Sequence, residues 1–332
     1  MHRDILRLSL PSKGRLAEES ITFLEACGLR VLKTNPRQYE ATIPTFPGLI
    51  VLFQRPGDIV VSVRDGSVDF GITGIDLIEE RGGQNGDILI LHDALGFGHC
   101  ALCLAVPESW EGVTSLEDLK TTASQMAGEL RVATRYPILT KRFLDSYSIP
   151  HSLISAEGTL ETAPAIGYAD IISDLVSSGQ TLRDNRLRPL KDGLIQPSQA
   201  ALIANRRMLK NHPGALSLAG QILEYIEAHL RASENLAIFA NIRGNSPDEI
   251  AEQIFAQNTI GGLQGPTVSR VIVRDGDPNW HAVHIVVRRD QLFAAISELR
   301  RIGGSGVVVS PVAYIFEEEP PRYIAMLEAL KD

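Results

Sequence analysis

The apolar residues of the chain fall in two alternating rhythms. Ile5-Leu6-Arg7-Leu8-Ser9-Leu10 has the short apolar run of a strand. After Pro11-Ser12-Lys13-Gly14-Arg15, the residues Leu16, Phe23, Leu24 and Cys27 recur at helical spacing, and Gly28 supplies a helix end. Further short runs at Leu49–Phe53, Phe70–Thr73, Ile88–Leu91, Leu102–Val106, Leu130–Thr134 and Ile171–Ile172 are separated by helical stretches, which predicts an α/β fold. Ser115-Leu116-Glu117-Asp118 has the form of a capping box and predicts a helix start.

One segment is ambiguous by pattern. Ile59-Val60-Val61-Ser62-Val63 is β-branched and reads as a strand by propensity, whereas the preceding Pro56-Gly57-Asp58 is a reasonable helix start. Beyond Gly214 a long helix is expected to end near Arg231–Ser233. The pattern then changes to strand Leu236–Phe239, helix Pro247–Gln257, strands Val268–Val273 and Trp280–Val287, helix Leu292–Ile302 and strand Val307–Tyr314. That order is βαββαβ, a ferredoxin-like module, and it sets a domain boundary near residue 232.

With 332 residues the chain is long enough for two or three domains, and 44% apolar against 22% charged residues leaves little room for disorder. No apolar run approaches the length of a membrane span, and the N-terminus leads into a strand without a signal core, so a cytoplasmic protein with no membrane association is expected. Cys27, Cys100 and Cys103 are too few for a disulfide framework and agree with a reducing compartment. A net charge of −8 argues against nucleic-acid binding, so an anionic ligand must meet local positive charge. Cys100 and Cys103 point to opposite faces of a strand and have no partner pair at zinc-like spacing, and no His-Glu-x-x-His pattern occurs; His92 and His99 are not assigned to chemistry.

The stretch from Glu157 to Asn185 carries the most information. A strand ends in Asp174, and a loop with Ser177, Ser178, Gly179, Gln180, Thr181 and Leu182 follows. Small residues let backbone N–H groups turn toward a phosphate, hydroxyls add donors, and the preceding carboxylate can hold ribose hydroxyls. The same residue types also favour plain turns, so the loop alone leaves both readings open. Lys13 and Arg15, after the first strand, offer cations where ligands of open sheets usually sit, or are a solvated pair. Asp69 and Asp76 are equally readable as a turn residue and a helix cap.

The wider stretch, with Glu161, Ala163, Pro164, Gly167, Ala169 and Asp170, resembles the phosphoribosyl pyrophosphate signature of the ATP phosphoribosyltransferases. Leu10-Pro-Ser-Lys-Gly-Arg-Leu16 is similar to that family's Pro-Lys-Gly-Arg loop, with Ser12 inserted between proline and lysine. Arg55–Ile59, Gly66–Asp76, Gly265–Ser269 and Ile302–Gly306 resemble further blocks, so the likeness to the long, feedback-regulated form covers nearly the whole chain.

The resemblance implies a helix over the Ile59 segment and two lobes of the periplasmic-binding-protein type with the active site in their cleft. The first lobe is placed at residues 1–98 and 182–232, the second at 99–181, and a C-terminal regulatory domain at 233–332. The implied reaction transfers the phosphoribosyl group of phosphoribosyl pyrophosphate to N1 of ATP, at the entry to histidine biosynthesis, with Mg2+ carried mainly on substrate phosphates and no protein metal ligand named. Catalytic roles are expected for Lys13, Arg15, Glu161 and Asp174, and substrate contacts for Asp76, Asp170, Asp174, Ser177, Ser178, Gly179, Gln180, Thr181 and Leu182. Histidine, as inhibitor, is expected in a pocket of Asn241, Leu263, Thr267, Ser305 and Gly306, and the family implies a homohexamer. Competing readings are a non-catalytic solute-binding protein, a family member that has lost regulation, and an amino-acid sensor whose catalytic lobes are only structural; the lack of a signal segment and the phosphate loop weigh against the first, and Lys13, Arg15, Glu161, Asp174 and Thr181 weigh against an inactive cleft.

Overall fold

The computed structural model describes every residue except 1–4, 34, 36–37, 84, 156–158, 273–278 and 332. The chain divides into two compact units, Met1–Gln221 with Pro321–Asp332, and Ile222–Pro320.

The first unit opens with β1 (Leu6–Pro11), α1 (Arg15–Ala26), β2 (Glu40–Thr42), β3 (Leu49–Gln54), α2 (Pro56–Arg64), β4 (Phe70–Gly74), α3 (Ile75–Arg81) and β5 (Ile88–His92). β1 lies parallel to both β3 and β4, and a parallel strand covered on both faces leaves little room for polar side chains: Leu8, Leu10, Val51, Phe70 and Ile72 are all buried. The Ile59–Val63 segment lies in α2, as the resemblance implies. Pro56 presets the first turn, and Ile59, Val60 and Val63, spaced along one helical face, are fully buried, so packing overrides β propensity. α2 packs so closely on β4 that a Cβ at Gly71 would fall 2.5 Å from Cγ2 of Ile59.

The chain then builds a second lobe from β6 (Cys100–Pro107), α4 (Leu116–Gln125), β7 (Leu130–Thr134), α5 (Pro137–Ser146), β8 (His151–Ser155), β9 (Ile171–Val176), α6 (Gln180–Asp184) and β10 (Leu187–Ser198). The capping box opens α4, with Ser115 and Asp118 bonded to each other's backbone. β11 (Ala200–Asn205) returns to the first lobe and is followed by α7 (Arg206–Asn211) and α8 (Pro213–Ser233).

The two sheets share one plan. Their orders are β2-β3-β1-β4-β11-β5 and β10-β6-β9-β7-β8, and in each the strand that has just arrived from the other lobe, β11 in the first and β6 in the second, runs antiparallel to both of its neighbours. Two α/β lobes joined by two crossings form the periplasmic-binding-protein-like architecture. The return crossing falls at Gln199, later than the expected 182, because β10 pairs with β6 from Leu187↔Pro107 to Ser198↔Cys100. Pro189, Gly193 and Pro197 hide this strand from a pattern reading, and its ladder is broken by register shifts.

The second unit contains β12 (Asn235–Arg243), α9 (Pro247–Phe255), β13 (Thr267–Arg270), β14 (Trp280–Arg288), α10 (Leu292–Arg301) and β15 (Ser305–Pro311). The sheet order β13-β14-β12-β15 is antiparallel throughout and ferredoxin-like. One face, with Ile238, Ile242, Val283 and Ile285, is buried with Ile250, Ile254, Ala295 and Leu299 of α9 and α10. Val273, the expected end of a strand, lies outside the described residues.

The last helix, α11 (Pro321–Ala329), belongs to the first unit, whereas the sequence reading assigns all of 233–332 to the regulatory domain. Arg322 pairs with Asp93 at 2.6 Å, and the Tyr323 ring packs so close to Gly220 that a Cβ there would lie 2.9 Å from it. No described helix is long and apolar enough to cross a membrane.

Candidate active site

The carboxyl ends of parallel strands in both lobes carry Lys13 and Arg15 after β1, Asp76 after β4 and the Ser177–Thr181 loop after β9, the expected ligand side of open α/β sheets. Lys13 is exposed in the loop after β1, and Arg15 starts α1. The Arg15 guanidinium donates to the carbonyl of His99 at 2.9 Å and lies 3.6 Å from Glu19. It borders a cavity of about 470 Å3 that also takes Pro56 and Asp76 from the first lobe and Cys100, Tyr136 and Ser177 from the second.

Asp76 is 2% exposed. The Tyr136 hydroxyl donates to one of its oxygens at 2.7 Å, the Ser198 hydroxyl donates to the other, and the Asp76 N–H donates to Ser198 Oγ at 3.1 Å. The sequence reading gives Asp76 a direct substrate contact; in the structure Asp76 borders the cavity, and each of its carboxylate oxygens accepts one protein donor, Tyr136 on one and Ser198 on the other. Burial, with the Asp76 charge added, pushes the Tyr136 phenol well above its ordinary range, so it remains a donor. Burial and Asp76 likewise push the Cys100 thiol up to about 11, which leaves it protonated and a poor nucleophile. Tyr136 and Ser198 were not selected from sequence because neither belongs to a local pattern; they meet Asp76 across 60 and 122 residues.

Beyond β9, Ser177 and Ser178 are exposed, and Gly179 takes φ 71, the left-handed turn that starts α6. Thr181 is exposed in that first turn, and Gln180 bonds Asp184 and Arg183. Leu182, 4% exposed, packs with Leu160, Ala163 and Ala169 and anchors the loop, a core role in place of the expected substrate contact.

Asp174 faces Cys103 on β6. Burial raises its carboxyl above the ordinary value; the Leu175 N–H, donating at 2.8 Å, and the charge of Arg135 pull it down, and the charge of Glu161 pushes it up. Glu161, Arg135 and Asp174 thus form one electrostatic group, of which Arg135 was missed from sequence.

Asp170 stands apart. It precedes β9, four residues before Asp174, or about 13 Å along a strand, and Arg131 grips it through Nη2 at 2.8 Å, Nε at 3.2 Å and the backbone N–H at 2.8 Å. Burial raises the Asp170 carboxyl, but the bonds and charge of Arg131 outweigh it and the net shift is downward. It is a lobe clamp, not a cleft residue. A lowered carboxyl contributes stability above its ordinary value of 3.8 that is lost as pH falls through the folded value. Asp170→Asn is therefore expected to lower the melting temperature at pH 7 and flatten the acid side of its pH profile, with kcat within about two-fold of wild type; a 100-fold loss of kcat would return Asp170 to the site.

In the second unit, Asn241 and Ser305 are register partners, with Ser305 Oγ 3.4 Å from the Asn241 carbonyl, and a Cβ on Gly306 would lie 3.6 Å from Asn241 Nδ2. Thr267 faces His284, which faces Phe239, so Thr267 stands two strands across and two residues along from Asn241, about 12 Å away. Leu263 is exposed in the turn before β13. Asn241, Ser305 and Gly306 are therefore together, Thr267 shares their open sheet face at a distance, and the Phe239 ring stacked on His284 at 4.3 Å lies between.

Comparison with known proteins agrees with this architecture. The family described as ATP phosphoribosyltransferase matches residues 55–228, and the one described as HisG, C-terminal domain, matches residues 232–314. ATP phosphoribosyltransferase 1, chloroplastic, of Arabidopsis thaliana is 44% identical over 99% of this chain and 82% of its own length. The ATP phosphoribosyltransferase of Methanocaldococcus jannaschii is 35% identical over 94% of this chain and 100% of its own. A solved ATP phosphoribosyl transferase (HisG:HisZ) complex from Thermotoga maritima shares the fold, with a TM-score of 0.53 at 24% identity over 67% of this chain and 99% of that one. Both parts of the sequence match in the order in which the two units are built, and the chain belongs to the ATP phosphoribosyltransferase family in its long form.

Proposed function

We infer that this chain catalyses the first step of histidine biosynthesis, transfer of the phosphoribosyl group of phosphoribosyl pyrophosphate to N1 of ATP with release of pyrophosphate, in the cleft of its first unit. The observation that carries the reading is the convergence of Arg15, Tyr136 and Ser177 on one cavity fed from both lobes. The exposed Ser177, Ser178 and Thr181, around the left-handed Gly179, suit the 5′-phosphate. Asp174 suits the ribose hydroxyls with Glu161 beside it, and Lys13 and Arg15 the pyrophosphate or ATP phosphates. Cleavage at the anomeric carbon builds positive charge on the ribose and negative charge on the leaving group, so two carboxylates on one side and two cations on the other stabilise both ends without a covalent nucleophile.

Among the described residues no cluster of three or more His, Cys, Asp or Glu forms a metal cage, and the hard oxygen donors Asp174 and Glu161 suit a Mg2+ ion bound chiefly by phosphate oxygens. Bound there, the ion would neutralise the pyrophosphate. In the second unit Asn241, Ser305 and Gly306 form the nearer part of a histidine site, with the inhibitor acting through two states of a homohexamer. The three cysteines are free, and burial pushes Cys27 up to about 12, which leaves it a protonated, unreactive core thiol. The test of the catalytic reading is purified protein with ATP, phosphoribosyl pyrophosphate and Mg2+. A new near-ultraviolet absorbance that requires both substrates is expected as N1 is alkylated; its absence from folded protein would leave a binding protein.

A further inference from the structure

Helix α3 carries a second buried carboxylate. Glu80, 6% exposed, lies one turn beyond Asp76 on the same helix face, since residues four apart in a helix are neighbours. Its two oxygens accept the backbone N–H groups of Ile138 and Leu139, each at 2.9 Å. These belong to the first turn of α5, in the other lobe. That turn has no cap of its own: Tyr136 stands at the N-cap position without a side-chain cap bond, and Pro137 has no N–H to offer. A carboxylate from the opposite lobe thus does the capping, where the helix dipole favours negative charge.

Tyr136 is held at both ends. Its backbone opens the helix that Glu80 grips, and its hydroxyl reaches Asp76 at 2.7 Å, one turn earlier on α3. Leu77 packs against Leu102, Tyr136 and Leu139, so the two carboxylates act in an apolar seam. Arg142 and Glu79, 3.8 Å apart at the rim, are exposed and contribute little.

We propose that Glu80 is a positioning residue of the transferase: by clamping the start of α5 to α3 it sets Tyr136 in the cavity wall and fixes the angle between the lobes. The proposal rests on placing the substrates in the cleft. Glu80→Gln turns one acceptor into a donor aimed at an N–H, so one of the two bonds is lost while size is kept. The expected result is a rise on the order of 10-fold in KM for both substrates with a smaller change in kcat, together with faster amide exchange at Ile138 and Leu139. Because Glu80 acts through Tyr136, Glu80→Gln combined with Tyr136→Phe should be no worse than the more impaired single variant. Glu79→Gln is the control at the rim and leaves the KM values unaltered. Wild-type KM values in Glu80→Gln, or losses that multiply in the double variant, would overturn the proposal. If Glu80→Gln does not fold, the same cycle is read with Glu80→Asp, which keeps the charge and shortens the reach. Asp174→Asn is measured alongside: turnover retained in both variants rejects the cleft as the substrate site, whereas turnover lost in Asp174→Asn with normal KM values in Glu80→Gln rejects the clamp alone.

Discussion

Asp174→Asn should lower kcat by on the order of 10²-fold or more, because a charged acceptor is removed from the place where the ribose becomes positive. The structure adds an expectation of opposite sign for stability. The Asp174 carboxyl is raised chiefly by burial, with Glu161 adding repulsion against the opposing Leu175 N–H and Arg135, so its ionised form is less favourable folded than unfolded. For a raised carboxyl, the stabilising contribution is present below the ordinary value of 3.8 and is lost as pH rises through the folded value. At neutral pH the native state bears that cost, and the neutral amide removes it. The melting temperature of Asp174→Asn at pH 7 should equal or exceed that of wild type, by calorimetry or fluorescence, while activity collapses. An inactive variant that melts well below wild type would make Asp174 a structural residue, and a stable variant with normal turnover would remove it from catalysis.

Histidine should bind the second unit, and the pair Asn241→Ala with Gly306→Val should abolish the calorimetric heat of histidine and move the inhibition curve at least about 10-fold to higher concentration. Gly306 holds φ 60, a backbone that a β-branched residue takes only with strain, and it lies against Asn241, where a backbone N–H and a side-chain amide can meet a carboxylate or an amine. Thr267→Val should have a smaller effect because Thr267 is two strands away. Undiminished histidine heat in the Asn241/Gly306 pair would place the effector elsewhere. Point variants are the right tool because α11 belongs to the first unit: a chain cut after residue 232 would lose part of the catalytic unit together with the regulatory module.

Features that depend on local pattern were legible in the amino-acid order alone. Period and punctuation located β1 and α1, the βαββαβ order after residue 232, and the Ser177–Thr181 loop, because side-chain alternation, caps and turn residues act within a few positions. The likeness of those blocks to one family carried the reaction further than any single residue type could. Local pattern failed where packing opposed it. The β-branched Ile59 segment is helical because three of its side chains are buried on one face, and β10 escaped notice because its prolines and glycine are tolerated by pairing with β6.

Which carboxylates share a site was not legible locally and depends on long-range folding. Asp170 and Asp174 are four residues apart in one recognised stretch, yet a strand carries them to opposite ends, one to Arg131 and the other to the cleft group. Asp76 was readable as a helix cap and Glu80 carried no reading from sequence, and both prove to be buried acceptors for donors some 60 residues away in sequence. α11 carries no mark in its sequence of returning to the first unit. For the carboxylates the cause is shared: each one's role is set by the donors and the burial around it, and long-range pairing, not local spacing, brings those together.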